Sequence, residues 1–373
     1  MVPSPLTDTL TSEPYDVVVI GAGPSGSSAA RAAGRRGAKV LLVDRKQRIG
    51  EPVRCGEFVT QWICHYAHFS SNCVQQTTET LVTHLPDETA YEMRGPGYML
   101  NRAVFDRELA ALALSSNVRI LIGTKALDLS SEGVIVIHGQ NKGVIKSKVI
   151  IGADGVHSSV AHWLGLSPMK TIVALQYEVA TTGPQNQVHV FFQTDYPGGY
   201  GWFFPKGKTA NVGIGIVSQK ATFLPGLMAN FLDRLLDARK IPGVDILGKT
   251  GGSIPCDTPR RTVFENILLV GDAACHTHSI TGAGILNAVV GGEMAGRIAA
   301  EAARTDDIRY LENYETEWRE AFGGTLSHAA SKRLFLEESW GKPGVDFKDL
   351  VRKNWIGFRD YYKDRKRNLK NAG

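Results

Sequence analysis

Cysteine is scarce in this chain, and its distribution does not suggest a disulfide framework. The number is odd, and the residues are scattered at positions 55, 64, 73, 256 and 275. Small secreted domains that depend on disulfides instead carry dense, paired cysteines. We therefore expect a protein of the reducing cytoplasm.

Long hydrophobic runs are also missing. The apolar stretch VVVI at 17–20 is far shorter than the roughly 20 residues that a membrane-spanning helix needs. The first dozen residues, MVPSPLTDTLTS, have neither the basic start nor the apolar core of a secretory signal. We interpret them as a disordered leader and predict no membrane-spanning segment.

Charge is unevenly distributed in a chain of otherwise ordinary globular composition, with 373 residues and a net charge of +5. The segment from Lys348 to Lys370 alone carries about +6, so the rest is close to neutral and no nucleic-acid partner is predicted. The aromatic and basic tail at 355–370 leaves two interpretations open. It contacts an anionic membrane surface peripherally, or it forms a terminal helix whose aromatics pack on the body.

The N-terminal segment YDVVVIGAGPSGSSAARAAGRRGAKVLLVDRK predicts a strand, a tight turn, a helix and a second strand. Gly21, Gly23 and Gly26 have the GxGxxG spacing, in which glycines permit the turn, the approach of a pyrophosphate and close helix packing. Asp44 follows Gly26 by eighteen residues, a spacing typical of a carboxylate that binds a ribose hydroxyl. This unit therefore predicts a dinucleotide site.

The rest of the chain alternates between predicted elements. A helix is predicted over 101–116, antiparallel strands over 172–216, and helices at 223–240, 285–303 and beyond 306, whereas 51–100 is irregular and resembles an insertion. We predict an α/β protein in which a Rossmann-like dinucleotide-binding domain is interleaved with an antiparallel-sheet substrate domain and followed by a helical tail. The predicted boundaries are 15–60, 100–165 and 260–305 for the first, 61–99 and 166–259 for the second, and 306–373 for the tail.

Two further segments place an aspartate after an apolar strand: VIIGADGVHSSV at 149–160 and NILLVGDAACHTHSITGAGILNA at 266–288. With the N-terminal turn and the NR..FD pattern at 101–106, they resemble the FAD-binding domain of glutathione-reductase-type flavoproteins, in the aromatic-hydroxylase-like branch. The resemblance implies that Asp272 contacts the ribityl chain or its neighbouring ribose, and that the helix after Gly282-Ala283-Gly284 points its N-terminus at the flavin. The predicted FAD-binding residues are Gly21, Gly23, Pro24, Ser25, Gly26, Asp44, Arg45, Cys55, Gly56, Arg102, Ala126, Asp154, Gly155, Asp272, Gly282, Ala283, Gly284 and Ile285.

The late aspartate segment also raises the question of a metal, because Cys275, His276 and His278 lie within four positions. A tetrahedral zinc site would have to form in a segment already assigned to the flavin, so no metal is predicted there. A second group, CHYAHFSSNC at 64–73, has only a loosely zinc-like spacing. We interpret its cysteines and histidines as surface or partly buried residues.

Two stretches narrow the family. RIGEPVRCGEFV at 48–59 and YGWFFPKGKTANVGIG at 200–215 resemble signature segments of the geranylgeranyl reductase family. The resemblance implies an enzyme that reduces isolated C=C bonds in the prenyl chains of lipids, quinones or chlorophyll precursors. It also implies catalytic roles for Cys55, as proton donor or substrate positioner, and for Tyr200, Trp202 and Phe204 around an apolar channel. The alternative for Cys55 is a small packing residue.

The electron source and two rival functions stay open at this point. No second GxGxxG follows a strand, so NAD(P)H docking transiently or a ferredoxin are both candidate reductants. One rival is a flavin-dependent monooxygenase or halogenase acting on an aromatic or peptidyl substrate. The other is a non-catalytic electron carrier, which the substrate-covering regions disfavour.

Overall fold

The computed structural model describes residues 14–183 and 185–363. The strands are Tyr15–Ile20 (β1), Val40–Val43 (β2), Phe58–Thr60 (β3), Val74–His84 (β4), Ala90–Leu100 (β5), Val118–Leu121 (β6), Thr124–Ser130 (β7), Gly133–His138 (β8), Asn141–Ile145 (β9), Ser147–Gly152 (β10), Thr171–Ala180 (β11), Gln187–Phe191 (β12), Tyr200–Lys206 (β13), Thr209–Val217 (β14), Ile246–Pro255 (β15), Val263–Phe264 (β16) and Ile267–Leu269 (β17). The helices are Pro24–Arg35 (α1), Arg102–Leu114 (α2), Ser159–Trp163 (α3), Leu224–Asp237 (α4), Ile285–Thr305 (α5), Glu312–Trp318 (α6), Gly324–Ser339 (α7) and Phe347–Asn354 (α8).

The first sheet has the order β16-β17-β10-β1-β2-β6, and all its strands except β16 run parallel to their neighbours. The VVVI run of β1 is buried on both faces, which explains why it is continuously apolar. Helices α1 and α5 cover one face, and the backbones approach closely because Gly292 and Gly296 have no side chain. The small sheet β7-β8-β9 and α3 cover the other face. The predicted Rossmann-like sheet is confirmed.

The second sheet has the order β15-β11-β14-β13-β12-β4-β5-β3 and is antiparallel except where β12 pairs with β4. Helix α4 packs against one side of it. The C-terminal segment packs against the other side, where Trp355, Phe358 and Tyr361 are buried with residues of β4, β5 and β12. The predicted antiparallel sheet and C-terminal helices are thus confirmed.

The segment 51–100 is not irregular, contrary to the expectation. It forms β3, β4 and β5, and the last two pair with each other over most of their length. Polar side chains hide this pattern, because β4 is half-exposed and uses several threonines, whose β-branched side chains suit a pleated surface.

No helix among the described residues is long and apolar enough to cross a bilayer. Of the tail, Trp355, Phe358 and Tyr361 are core residues rather than surface aromatics. The basic residues at 364–370, on which the predicted membrane contact also depends, lie outside the described residues.

Candidate active site

The glycine turn between β1 and α1 is held in shape by close backbone contacts. Gly21 has φ +105°, and a Cβ there would lie 2.4 Å from the carbonyl oxygen of Ala153. A Cβ on Gly26 would lie 1.8 Å from the carbonyl oxygen of Gly21. Gly23 caps α1 without a side-chain hydrogen bond, Pro24 begins the helix, and its first turn has no acidic residue. The N–H groups and partial positive charge of this helix end are therefore available to an anion such as a pyrophosphate.

Asp44 stands immediately after β2, beside this turn. Its carboxylate accepts hydrogen bonds from the backbone N–H of Ala22 at 2.7 Å and of Lys46 at 2.8 Å. A carboxylate has about four acceptor sites, so two remain for another donor such as a ribose hydroxyl. Arg45, next in the chain, is exposed.

One other predicted residue, Asp154, has structural partners of its own. Asp154 follows β10, and its carboxylate accepts hydrogen bonds from Ser158 Oγ at 2.5 Å and from the N–H of Ser159 at 2.6 Å at the start of α3. Burial raises the pKa of Asp154, although these hydrogen bonds oppose it. Gly155 has open space where a Cβ would point, whereas Ala126 lies in β7 and is buried in the core under the first sheet.

Asp272 lies in a short turn at 271–274, beside the beginning of α5. One of its oxygens accepts a hydrogen bond from Thr277 Oγ1 at 2.6 Å. Burial raises the pKa of Asp272, against the lowering effects of Thr277 and of the positive charge of Arg102. A Cβ on Gly284 would lie 3.3 Å from this carboxylate, so the turn and the aspartate are in contact.

Helix α5 begins at Ile285 with neither a side-chain cap nor an acidic residue in its first turn. Gly282 and Ala283, just before it, are exposed. The positive end of α5 thus lies beside a carboxylate and directly after two exposed residues, an arrangement that suits a flavin ring and its ribityl chain. Together with the free acceptor sites of Asp44 and the uncapped α1, these residues fit FAD.

The histidines and cysteine of the late aspartate segment turn in different directions. Cys275 Sγ donates to the carbonyl oxygen of Asp257 at 3.4 Å. His276 is buried against Trp318 and Phe322, and burial lowers its pKa to about 3. His278 Nε2 lies 3.2 Å from the hydroxyl of Tyr361. Across residues 14–183 and 185–363, no three His, Cys, Asp or Glu side chains are placed to hold a metal ion, and this holds for the 64–73 group too.

The aromatic residues of the 200–215 segment lie over two glycines. In the antiparallel pair of β13 and β14, Trp202 is directly opposite Gly213 and Tyr200 is opposite Gly215. A Cβ on Gly213 would lie 2.1 Å from Cζ2 of the indole. The two glycines therefore provide the space in which the Trp202 ring lies flat against the neighbouring strand.

Gln176 of β11 connects this tryptophan to the cysteine loop, and sequence reasoning did not identify it. Its Oε1 accepts from Trp202 Nε1 at 3.0 Å, while its Nε2 donates to the backbone oxygen of Cys55 at 3.0 Å. Phe204 lies against Gly56 in the same loop. The structure thus brings together all four predicted catalytic residues: Cys55, Tyr200, Trp202 and Phe204.

Burial raises the pKa of the Cys55 thiol, although the nearby Arg102 guanidinium and the hydrogen bond from the N–H of Glu57, at 3.2 Å, lower it. Arg102 itself forms a two-point ion pair with Asp106, at 2.9 and 3.1 Å. The thiol is therefore protonated at neutral pH and able to act as a proton donor.

Glu57 joins the two sheets, and this residue was also missed. Its carboxylate is buried, and it accepts from the backbone N–H of Arg102 at 2.9 Å on the side of the first sheet. From the second sheet it accepts from Lys206 Nζ at 2.5 Å and from Asn211 Nδ2 at 2.9 Å. The available signal was a lone acid among apolar residues in CGEFV, together with the lysine of the FPK motif and an asparagine inside an apolar strand.

A cavity lies between the second sheet and the C-terminal helices. It encloses about 530 Å³ of space between atoms, counting the part open to solvent, and most of its wall is apolar. Tyr200 and Trp202 line it with Phe192, Leu336 and Trp355, and Gly282 of the turn before α5 belongs to the same wall. Phe204 and Cys55 do not line this space. The apolar wall suits part of an apolar ligand that lies against Gly282.

Models of known protein families match two segments of the chain that contribute to this site. A family model described as FAD dependent oxidoreductase matches residues 16–161, and one described as geranylgeranyl reductase catalytic domain matches residues 171–253. A digeranylgeranylglycerophospholipid reductase of Methanothrix thermoacetophila is 36% identical to this chain, over 87% of this chain and 88% of that protein.

Solved structures give the same result. A geranylgeranyl bacteriochlorophyll reductase-like protein of Thermoplasma acidophilum superposes with a TM-score of 0.82 and 25% identity, covering 97% of this chain and all of that one. A flavin-dependent brominase superposes with a TM-score of 0.71 at 16% identity, covering 97% and 100% of the two chains. The second likeness is one of fold alone.

Proposed function

The chain belongs to the geranylgeranyl reductase family of FAD-dependent oxidoreductases, and on this premise we propose that it hydrogenates the C=C bonds in the prenyl chains of a glycerophospholipid. The observation that carries the proposal is the shared cavity. Tyr200 and Trp202 form an apolar wall that continues to Gly282, in the turn that we assign to the flavin. An apolar chain lying in this cavity would reach the cofactor without crossing water.

FAD would be held by the glycine turn at 21–26, by Asp44, by Asp272 and by the N-terminus of α5. When bound and reduced, it supplies a hydride. All of the predicted FAD contacts stay predictions, including Arg45, Gly56, Arg102, Ala126, Asp154 and Gly155. Among them, Asp154 and Arg102 already have partners within the protein.

The protein's own task is to protonate the alkene. An isolated double bond has no carbonyl to stabilise the charge that develops on it, so a proton must be delivered in a dry, preorganised site. We assign this proton to Sγ of Cys55, whose loop is joined to the cavity wall by the hydrogen bonds of Gln176 with Cys55 and Trp202. Desolvation raises the pKa of this thiol, so it is protonated at neutral pH. Trp202, fixed by Gln176, excludes water and holds the chain in line with the cysteine loop.

The reductant is proposed as either NAD(P)H or a ferredoxin, and the lipid substrate makes peripheral contact with a membrane reasonable. The basic tail could serve an acidic ferredoxin or an anionic lipid surface. Reconstitution with NAD(P)H and with a ferredoxin in turn shows which of the two supplies the electrons. Liposome co-sedimentation of a chain ending at Lys363, which keeps the buried Trp355, Phe358 and Tyr361, tests the lipid surface, since unchanged binding would remove the basic tail from the membrane contact.

The proposed reaction is tested with the purified holoenzyme under anaerobic conditions and dithionite as the electron source. Mass spectrometry of an unsaturated prenyl glycerophospholipid should show gains in steps of two hydrogens. A product that gains oxygen, and only when air is admitted, would instead indicate the monooxygenase. No product with any reductant would indicate an electron carrier.

A further inference from the structure

The wall of the apolar cavity contains a buried arginine. Arg333, on α7, lines the cavity and is only 3% exposed. Asn354, at the end of α8, lines the same cavity and is 2% exposed. Charged and amide side chains are rarely buried to this extent without a full set of partners.

The guanidinium of Arg333 is only partly satisfied by the protein. Its Nε donates to Glu337 Oε1 at 2.6 Å, and its Nη1 donates to the carbonyl oxygen of Gly198. Its Nη2 is buried without a hydrogen-bond partner, and the same is true of Oδ1 of Asn354. Leaving a buried polar group unpaired is costly, and more so for a charged one, so both atoms point to a ligand with polar atoms.

The arginine lies at one end of the face that carries the aromatic residues. Gly198, its carbonyl partner, is two residues before β13. Tyr200, Trp202 and Phe204 follow on one face of that strand, roughly 13 Å from first to last at about 3.3 Å per residue. Phe204 contacts Gly56, next to Cys55, so the arginine and the thiol lie beyond opposite ends of the row.

We propose that Arg333 binds the phosphate of the prenyl lipid and so fixes which way the substrate lies, with its polar end at Arg333 and its tail directed along Tyr200 and Trp202. The inference rests on the proposed function. Arg333 is a specificity-determining residue rather than a catalytic one. Asn354 Oδ1 accepts a hydroxyl hydrogen from the same polar end. Glu337 pairs with the arginine on its other side, is one-quarter exposed, and moderates the local positive charge.

The test uses the FAD-loaded protein and a matched pair of ligands, geranylgeranyl phosphate and geranylgeraniol. Binding is followed by tryptophan fluorescence, because Trp202 and Trp355 line the cavity. In R333Q the Kd for the phosphate should rise roughly 10- to 100-fold, as expected for a charged hydrogen bond, while that for the alcohol changes less than about twofold. The Kd of R333K for the phosphate should fall between those of the wild type and R333Q, because lysine keeps the charge. A matched control is R297Q, which removes a half-buried ion pair with Glu317 away from the cavity.

Equal weakening of both ligands in R333Q, or equal effects of R333Q and R297Q, would overturn the proposal. If R333Q does not fold, E337Q decides, since removing the neighbouring negative charge should tighten phosphate binding several-fold. An unchanged Kd there refutes the proposal. Inorganic phosphate at the same concentration should not displace geranylgeranyl phosphate, and displacement would instead assign the site to the free ion.

The binding readout is independent of catalysis. Wild-type protein that prefers the phosphate but reduces neither ligand would refute the proposed reaction and leave the role of Arg333 intact. Reduction of both ligands, with Kd values unaffected by R333Q, would refute the role of Arg333 and leave the proposed reaction intact.

Discussion

Glycine serves different purposes in the two sheets of this protein. At the cofactor end of the first sheet, Gly21 and Gly26 let one stretch of backbone approach another. In the second sheet, Gly213 and Gly215 leave room for an aromatic side chain from the neighbouring strand. The first use removes a clash between backbones, at Gly26 within its own turn and at Gly21 against Ala153, and the second removes a clash with an indole ring across the hairpin of β13 and β14. Substitutions in the two regions should therefore separate FAD retention from action on the prenyl chain.

The largest effect is expected from Gly26→Ala. Its Cβ would lie 1.8 Å from a backbone carbonyl, so the turn cannot keep its shape, and we expect more than about 4 kcal/mol of lost stability together with loss of FAD. Flavin absorbance per protein and Tm measure both. Gly226→Ala is the control, because it lies in α4 with open space around its Cβ and should be neutral or stabilising by up to about 1 kcal/mol. A yellow, stable Gly26→Ala protein would show that this turn does not determine cofactor binding.

The second expected effect concerns chemistry without loss of the cofactor. Cys55→Ala should lower single-turnover reduction by about 10²- to 10⁴-fold, the range typical of a lost general acid, while FAD content is retained. Cys64→Ala, at an exposed cysteine of a neighbouring segment, should have no effect. Wild-type rates in Cys55→Ala would return Cys55 to the alternative of a packing residue.

Lys206→Met tests the joint between the two regions. It leaves the buried Glu57 carboxylate without its cationic partner, which typically costs about 3–5 kcal/mol. Lys348→Met removes the surface pair with Asp87 and should cost at most about 1 kcal/mol. Unfolding by urea measures the loss in free energy of unfolding for both variants. Adding Glu57→Gln to Lys206→Met should recover part of the loss, and an equal loss in the double variant would argue against a charge effect.

Gly213→Ala sharpens the contrast with Gly26→Ala. The added methyl would displace the Trp202 ring at a cost of about 1–3 kcal/mol, weakening substrate binding while leaving FAD in place. Trp202→Phe in the same chain should restore part of the stability, because the smaller ring leaves room for the methyl. Loss of FAD in Gly213→Ala would mean that the two regions are not separable.

The smallest effect is a shift along the pH axis. Since burial raises the pKa of Cys55, the protonated thiol persists above its ordinary value of about 8.5. The rate of alkene reduction should therefore stay level through that pH and decline only beyond it. A midpoint clearly below pH 8 would exclude Cys55 as the proton donor.

Much of the fold follows from local sequence patterns. The glycine turn, α2, α5 and the strands β11 to β14 lie where periodicity and turn residues place them, because neighbouring residues determine these elements. The prediction that 51–100 is irregular was wrong, because the strands of this segment are half-exposed and polar. They pair with one another, and β4 also pairs with β12, which comes from a part of the chain about a hundred residues away.

The residues of the site also divide into those that a sequence pattern predicts and those that it does not. The sequence identified the aromatic residues and Cys55 but not Gln176 or the partners of Glu57, since a single glutamine or glutamate has no periodic pattern. Arg333 and Asn354 were missed for the same reason. Each is an ordinary polar residue of a terminal helix until α7 and α8 pack over the second sheet and bury it.

The sequence by itself determined the dinucleotide turn, the parallel sheet, the strands β11 to β14 and the family, because those depend on residues close together in the chain or on a fixed motif. Only the tertiary structure decided which polar groups are buried, which of them keep an unpaired atom, and where the apolar cavity meets the cofactor turn. The reason is physical: burial depends on what packs around a side chain, and the partners can lie far apart in the chain, as do Thr83 and Trp355, which are 272 residues apart and joined by a hydrogen bond.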